Sequence, residues 1–248
     1  MDWGRAKTIL ILSFLLLNMV LGFQLWSSRS DLLNFDTSPS GAAIEELQQI
    51  VKSKNIQVPA DIPKDTPKLK EIVARFDEKL TMPKPAPLPA PFRFDPLISR
   101  GTAMDLLTRA GIPKADSYQF DPALSMNGTY VFEQMYGAFP MFEVQLKLQE
   151  KGGLIGAYQQ GFVQVLSEGD SKEQKVISPY TALQNLIENY LPAGSVITGV
   201  KLGYHGPIYN SQTLNMWPSW RVTIGNGNGD VYFVHAFTGA VEGPQKKQ

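Results

Sequence analysis

The sequence predicts an α+β protein. A single N-terminal transmembrane helix precedes an extracytoplasmic region of helices packed on antiparallel β-sheet, and the order of elements suggests two related α+β units. Three observations carry this. Thr8–Trp26 (TILILSFLLLNMVLGFQLW) has no charged residue. Two stretches, after Ser99 and after Ser178, repeat apolar residues at helical spacing behind a serine suited to capping. Each is followed by alternating apolar and polar runs separated by glycine- and asparagine-rich turns.

As a helix rising ~1.5 Å per residue, Thr8–Trp26 reaches roughly 28 Å, close to the hydrocarbon thickness of a bilayer. A helix satisfies its own backbone hydrogen bonds, so lipid can surround it. Arg5, Lys7 and the amino terminus precede it, opposed by Asp2, whereas Arg29, Asp31 and Asp36 beyond it bring no cationic excess. Cations are retained inside, so residues 1–7 are expected in the cytoplasm, 8–26 in the membrane and the rest outside. Trp3 and Trp26 bracket the span, where aromatic belts sit. The competing reading is a cleaved signal peptide, for which the run is long and Val20-Leu21-Gly22 a poor cleavage site. Within the span, Asn18 places an amide near the midplane, and Gly22 lies one turn further on the same face. An amide facing lipid is costly and a small residue permits close approach, so Asn18 and Gly22 are candidates for contact with another transmembrane helix.

The chain is 43% hydrophobic and 19% charged, with 23 basic and 23 acidic residues and no cysteine. Zero net charge argues against nucleic acid or an anionic polymer as the main partner. Without disulfides, an extracellular domain of this size is held by its core alone, which loosely fits the outside of a Gram-positive cell.

Residues 27–81 read as a membrane-proximal helical segment. Ser27–Ser40 is a polar tether. A helix follows behind Ser40, with Ile44, Leu47, Ile50 and Val51 on one face and Lys52 and Lys54 at its end. A second helix is expected from Thr66–Pro67, with Leu69, Ile72, Val73, Phe76 and Leu80 in its stripe. Residues 82–98 read as a Pro-rich linker, because proline recurs on every second residue from Pro83 to Pro91; a spacer rod and a strap across the fold both fit.

Residues 99–176 form the first predicted α+β unit. Ala103, Leu106, Leu107 and Ala110 make its helical stripe, Gly111 and Pro113 stop the helix, and strands are expected at Ser117–Phe120, Thr129–Tyr136, Pro140–Gln149 and Leu154–Val165. Residues 177–243 form the second. Leu183, Leu186, Ile187 and Tyr190 make its stripe, and strands are expected at Ser195–Tyr204, Trp220–Ile224 and Val231–Phe237. Asn226-Gly227-Asn228-Gly229 is a hairpin signal between the last two. Residues 244–248 are a tail.

Little in the sequence points to catalysis. His205 and His235 stand apart with no cysteine or paired-histidine motif, so no metal or cofactor is expected. There is no G-x-S-x-G elbow and no phosphate-binding glycine loop ahead of a helix. If Thr129–Tyr136 and Pro140–Gln149 pair about Ala138, Glu133 and Glu143 face each other, the arrangement a glycosidase needs. No further residue supports that chemistry, so no catalytic residue is assigned. Tyr204, Tyr209, Trp217 and Trp220 cluster around Gly206–Pro218 and are a candidate protein-binding surface, with closure of the core as the alternative.

With these residues in view, the chain resembles the YycI (WalI) family, regulators of the essential cell-wall sensor histidine kinase YycG/WalK of Gram-positive bacteria. The similarity rests on Met1-Asp2-Trp3 ahead of a cation-flanked span, on Tyr130-x-Phe132-x-Gln134-x-Tyr136 with Gly137 and Pro140, on Pro218-x-Trp220-Arg221-Val222, and on Tyr232-Phe233-Val234-His235-Ala236-Phe237-Thr238-Gly239-x-Val241. The close is also similar to PepSY-type domains. The resemblance implies a non-enzymatic membrane protein with an extracytoplasmic α+β domain related to YycH, in complex with YycH and the kinase partly through transmembrane helices. The alternative it leaves is a secreted PepSY-like protease inhibitor or chaperone at the cell wall.

Overall fold

The structure, a computed structural model, describes residues 11–22, 41–168, 172–207, 213–225 and 230–244. Helix α1 spans residues 11–22. It is apolar and exposed all round, with Ile11, Leu12, Phe14, Leu16 and Met19 more than 60% accessible. No helix among the described residues is long and apolar enough to cross a membrane. The expected span, Thr8–Trp26, continues past both ends of α1 into residues outside those described, as does the tether Ser27–Ser40. Helix α2 (Gly41–Ser53) occupies the first position expected outside the membrane and buries Leu47.

The second expected helix does not form. Its residues make β1 (Lys68–Leu69) and β2 (Ile72–Phe76) instead. The apolar positions 69, 72, 73 and 76 satisfy a helical period, but Ile72 and Ala74 are the fully buried pair, which is the two-residue period of a strand. Pairing on both edges of β2 overrides the local preference.

The proline-rich stretch is not a free spacer. It contains β3 (Ala86–Phe92), an ordered strap with Leu88 buried. Proline at alternate residues confines the missing N–H donors to one edge of the strand, so the other edge can still pair.

The first unit begins with α3 (Arg100–Arg109). Ser99 caps it, its Oγ accepting from the Thr102 N–H at 3.2 Å, and Gly111 turns the chain out of the helix at φ +80°. A short 3-10 turn leads to β4 (Tyr118–Met126), β5 (Thr129–Tyr136), β6 (Phe139–Lys151) and β7 (Leu154–Gln160), an antiparallel ladder in sequence order, with β3 added on β7. Ala103 and Leu107 of α3 pack on Tyr118, Phe132, Leu146, Leu148 and Ile155. The chain leaves the ladder at Gly161 and continues as β8 (Val163–Glu168), so the single strand expected over Leu154–Val165 is two.

After β9 (Gln174–Lys175), paired with β1, the second unit repeats the plan. Ser178 Oγ accepts from Thr181 N–H at 3.1 Å, Pro179 opens α4 (Pro179–Asn189), and β10 (Ile197–His205), β11 (Thr213–Ile224), β12 (Val231–His235) and β13 (Val241–Glu242) follow as an antiparallel ladder. The signal Asn226–Gly229 lies outside the described residues, but β11 and β12 on either side of it pair antiparallel. Ala182, Leu183, Leu186 and Ile187 of α4 pack with Leu47 of α2 over Trp220, Val222 and Val234. Lys54, just past α2, donates to the carbonyls of Ile187 and Glu188 at 2.6 and 2.9 Å, a cation at the negative end of α4.

Among the described residues, strand pairing joins the units in two places. β10 meets β6 in parallel at Tyr204 opposite Met141. β2 lies between β8 of the first unit and the start of β11 of the second, antiparallel to both. A third apolar cluster, including Ile72, Ala74, Met141, Val163, Tyr204 and Met216, fills this joint. The expected antiparallel sheets are therefore parts of one mixed sheet.

Candidate functional site

Residues next to one another on a strand face opposite ways. Trp220 and Val222 of β11 enter the core under α4, so Arg221 between them faces away. In β5, Phe132 enters the core under α3, so Glu133 faces away. The helix-free faces of the two units thus carry charge. In strand order, β11 and β4 are separated by β10, β6 and β5, about 19 Å in a flat sheet at ~4.8 Å per strand. Yet Arg221 donates to Asp121 of β4 and to Glu133 of β5 through its two terminal nitrogens. The sheet is therefore bent, and its charged faces close on each other.

Lys201 of β10 completes the cluster, 3.2 Å from Asp121 and 3.1 Å from Glu133. Both acids come from the first unit and both cations from the second. Asp121, Glu133 and Arg221 are buried, and Lys201 is one-third exposed at its side chain. The charges balance, as burial requires. The Arg221 guanidinium also stacks over the Phe142 ring at 4.7 Å.

Burial sets the titration of the two acids against each other. It opposes ionisation of Asp121, but Arg221 and Lys201 outweigh it and hold that carboxyl well below the usual range. Glu133 is more deeply enclosed. Burial raises its pKa to about 7 despite the same two cations, with Asp121 adding to the rise. Glu133 is thus the group that takes up a proton first.

A second charged group lies further along the joint. The β5–β6 hairpin turns at Gly137 (φ +58°) and starts in register, Gln134 opposite Met141. The next pair is Glu133 with Gln145, so Phe142, Glu143 and Val144 bulge out without partners on β5. The bulge swings Glu143 toward β10. There Glu143 Oε1 lies 2.5 Å from His205 Nδ1, and Oε2 accepts from the Gly206 N–H at 3.2 Å. His205 Nε2 lies 3.1 Å from Glu242 of β13. The imidazole stacks on Phe233, 3.8 Å between centroids and 6° apart in plane, and meets Trp217 edge-on. Burial disfavours charge on His205, but Glu143 and Glu242 more than offset it and raise its pKa. His235, stacked with Trp217, is lowered by burial and then by His205.

The carboxylate pair considered from the sequence does not form: the turn register would set Glu133 opposite Phe142, and the bulge sets it opposite Gln145. Glu133 goes to Arg221 and Lys201, Glu143 to His205, and the two serve separate clusters. Of the aromatic surface, Trp220 is fully buried with its Nε1–H donating to Ile177 O at 3.0 Å, and Tyr204 is buried in the joint. Neither is surface, because both point to the core side of their strands. Trp217 is half-buried between the two histidines, and Tyr209 lies outside the described residues. Asn18 and Gly22 lie on α1, both exposed, with open space where a Cβ of Gly22 would stand.

Sequence reading did not anticipate the roles of Asp121, Lys201, Arg221 and Glu242. A signal existed for two members of the cluster: Arg221 interrupts Trp-Arg-Val-Thr-Ile, and Glu133 interrupts Tyr-Val-Phe-Glu, each a charge inside an apolar strand. A charge at such a position needs an opposite charge from elsewhere.

No curated protein matches the chain. Among solved structures, an uncharacterized protein from Eubacterium rectale ATCC 33656 is 15% identical, with a TM-score of 0.38 over 86% of this chain and 84% of that one. The Bacillus megaterium YpeB C-terminal domain is 16% identical, with a TM-score of 0.33 over 85% of this chain and all of that one. The YycI protein family model matches residues 70–237. That match runs from β2 through the charged joint to just past β12, and the chain belongs to the YycI family.

Proposed function

We propose that the protein is a non-enzymatic, single-pass membrane regulator of the sensor histidine kinase YycG/WalK, acting in a complex with a YycH-type protein. In this reading the amino terminus is cytoplasmic and the two-unit body is extracellular. Membership of the YycI family, matched over residues 70–237, carries the reading. The anchor is supported by α1, which exposes Ile11, Leu12, Phe14, Leu15, Leu16 and Leu17. A helix apolar all round belongs in lipid or among other helices. Asn18 and Gly22 would face a partner helix. The two acids considered as a catalytic pair are each held elsewhere, Glu133 by Arg221 and Lys201 and Glu143 by His205, which favours contact over hydrolysis.

Regulation then requires the chain to bind one conformation of the kinase better than the other, since only a difference in affinity shifts the equilibrium. The test is co-purification from detergent. The intact chain is expected to bring down the kinase and the YycH-type protein, and a chain with Thr8–Trp26 replaced by polyleucine to lose the kinase. Equal recovery with both chains contradicts the helix contact. A soluble body that blocks a wall protease would favour the secreted inhibitor.

A further inference from the structure

We propose that Glu143, His205 and Glu242 form a proton-operated latch, which ties β6 and the terminal strand β13 to β10 while the imidazole carries both protons and frees β13 when one is lost. The geometry singles out this imidazole. Its two nitrogens address carboxylates from opposite sides, Glu143 of the first unit at 2.5 Å and Glu242 at the end of the second at 3.1 Å. Only the imidazolium donates to both. Its plane is fixed by the stack on Phe233, so it cannot turn away from either acid without leaving the ring.

The titratable and charged groups facing it are Glu143 from β6, Glu242 from β13 and His235 from β12, while β11 presents the Trp217 indole. The two acids differ in access to water. The Glu143 side chain is 14% exposed and is also held by the Gly206 N–H, whereas Glu242 is 42% exposed. When His205 loses a proton, the remaining one stays on Nδ1, where the more buried carboxylate needs it. Nε2 then turns a lone pair toward Glu242, which moves to water. Among the described residues strand β13 pairs with β12 through Phe233–Glu242 and Val234–Val241, with Val241 packed on the second core and His235 N–H donating to Ala240 O just before it, so the Glu242 side chain is one of a few ties that hold its end. Freed, it uncovers the edge of β12. The sign follows from the raised pKa of His205: the attachment is complete on the acid side and is lost as pH rises through the histidine's titration.

The test is hydrogen exchange, read by mass spectrometry on the full chain in detergent across the histidine range and corrected for intrinsic chemical exchange. In the wild type, protection of the segment 231–244 should fall with rising pH by a factor on the order of ten, the loss expected for one charge-assisted hydrogen bond. Glu242→Gln, at a half-exposed position where folding is not at stake, should remove the step, because an amide pairs with either form of the imidazole. His205→Gln should remove it too. A wild type whose protection does not vary with pH, or a step of the same size in Glu242→Gln, overturns the proposal.

Discussion

Replacing Arg221 with methionine removes the cation that two buried acids share while keeping much of the side chain's apolar volume. Asp121 keeps Lys201, but Glu133 keeps only a share of one partly exposed lysine. Breaking a buried pair by deleting one partner costs about 3–5 kcal/mol, because the remaining charge stays enclosed. For a chain of this size that lowers Tm by about 6–20 °C at 2–4 °C per kcal/mol. The loss should be largest on the alkaline side of neutrality. As pH falls, Glu133, already raised to about 7, takes up a proton and no longer needs the guanidinium. The assay is thermal unfolding of the full chain in detergent by circular dichroism, at pH values on either side of neutrality. The double variant Arg221→Met/Glu133→Gln removes both ends of the pair, leaves Asp121 with Lys201, and should recover most of the stability. A single variant that loses less than about 1 kcal/mol, the scale of a surface pair, would refute the reasoning. So would a double variant whose losses simply add, since groups in one network should couple.

Other perturbations probe other parts of the structure. Glu133→Gln should flatten the pH dependence of stability: the wild type loses stability as pH rises from the ordinary carboxylate range toward 7, because the folded state binds the Glu133 proton more tightly than the unfolded chain does. Melting curves across that range check it, and equal slopes in both proteins would count against a shared buried site. Trp220→Ala should cost about 3–5 kcal/mol in denaturant titration, from a fully buried ring and its bond to Ile177 O. Leu88→Ala should cost about 2–5 kcal/mol if the proline-rich stretch is a strap on the first core, whereas a spacer would leave stability unchanged. Gly203→Ala should cost about 1–3 kcal/mol, because the new Cβ would stand 2.5 Å from Phe142 Cζ and 2.6 Å from Pro140 O, where the bulge of β6 presses on β10.

What could be read from the sequence was local. Ser99 and Ser178 cap their helices as their positions suggest, and the alternation of Phe142–Gln149 belongs to a strand that is buried on one side. Features that depend on distant pairing were not legible. Ile72–Phe76 satisfies the helical and the strand period alike, and only its place between β8 and β11 decides for strand. Alternating prolines fit a spacer rod or a strap, and only the pairing with β7 decides for the strap. The carboxylate register failed twice over: the turn pairs Tyr136 with Phe139, which is one residue out of step with a hairpin centred on Ala138, and the bulge at Phe142–Val144 then carries Glu133 on to Gln145. The charged joint itself is a contact between residues as far apart in sequence as Asp121 and Arg221. The sequence marks it only as a charge in the middle of an apolar strand on each side.

The most direct test of the regulatory reading is the autophosphorylation rate of the kinase in lipid nanodiscs with the YycH-type protein present, measured with the intact chain and with the chain whose Thr8–Trp26 is replaced by polyleucine. The account predicts a rate that changes on adding the intact chain and returns toward its starting value with the replaced span. A rate unmoved by the intact chain, or moved equally by both, would contradict it.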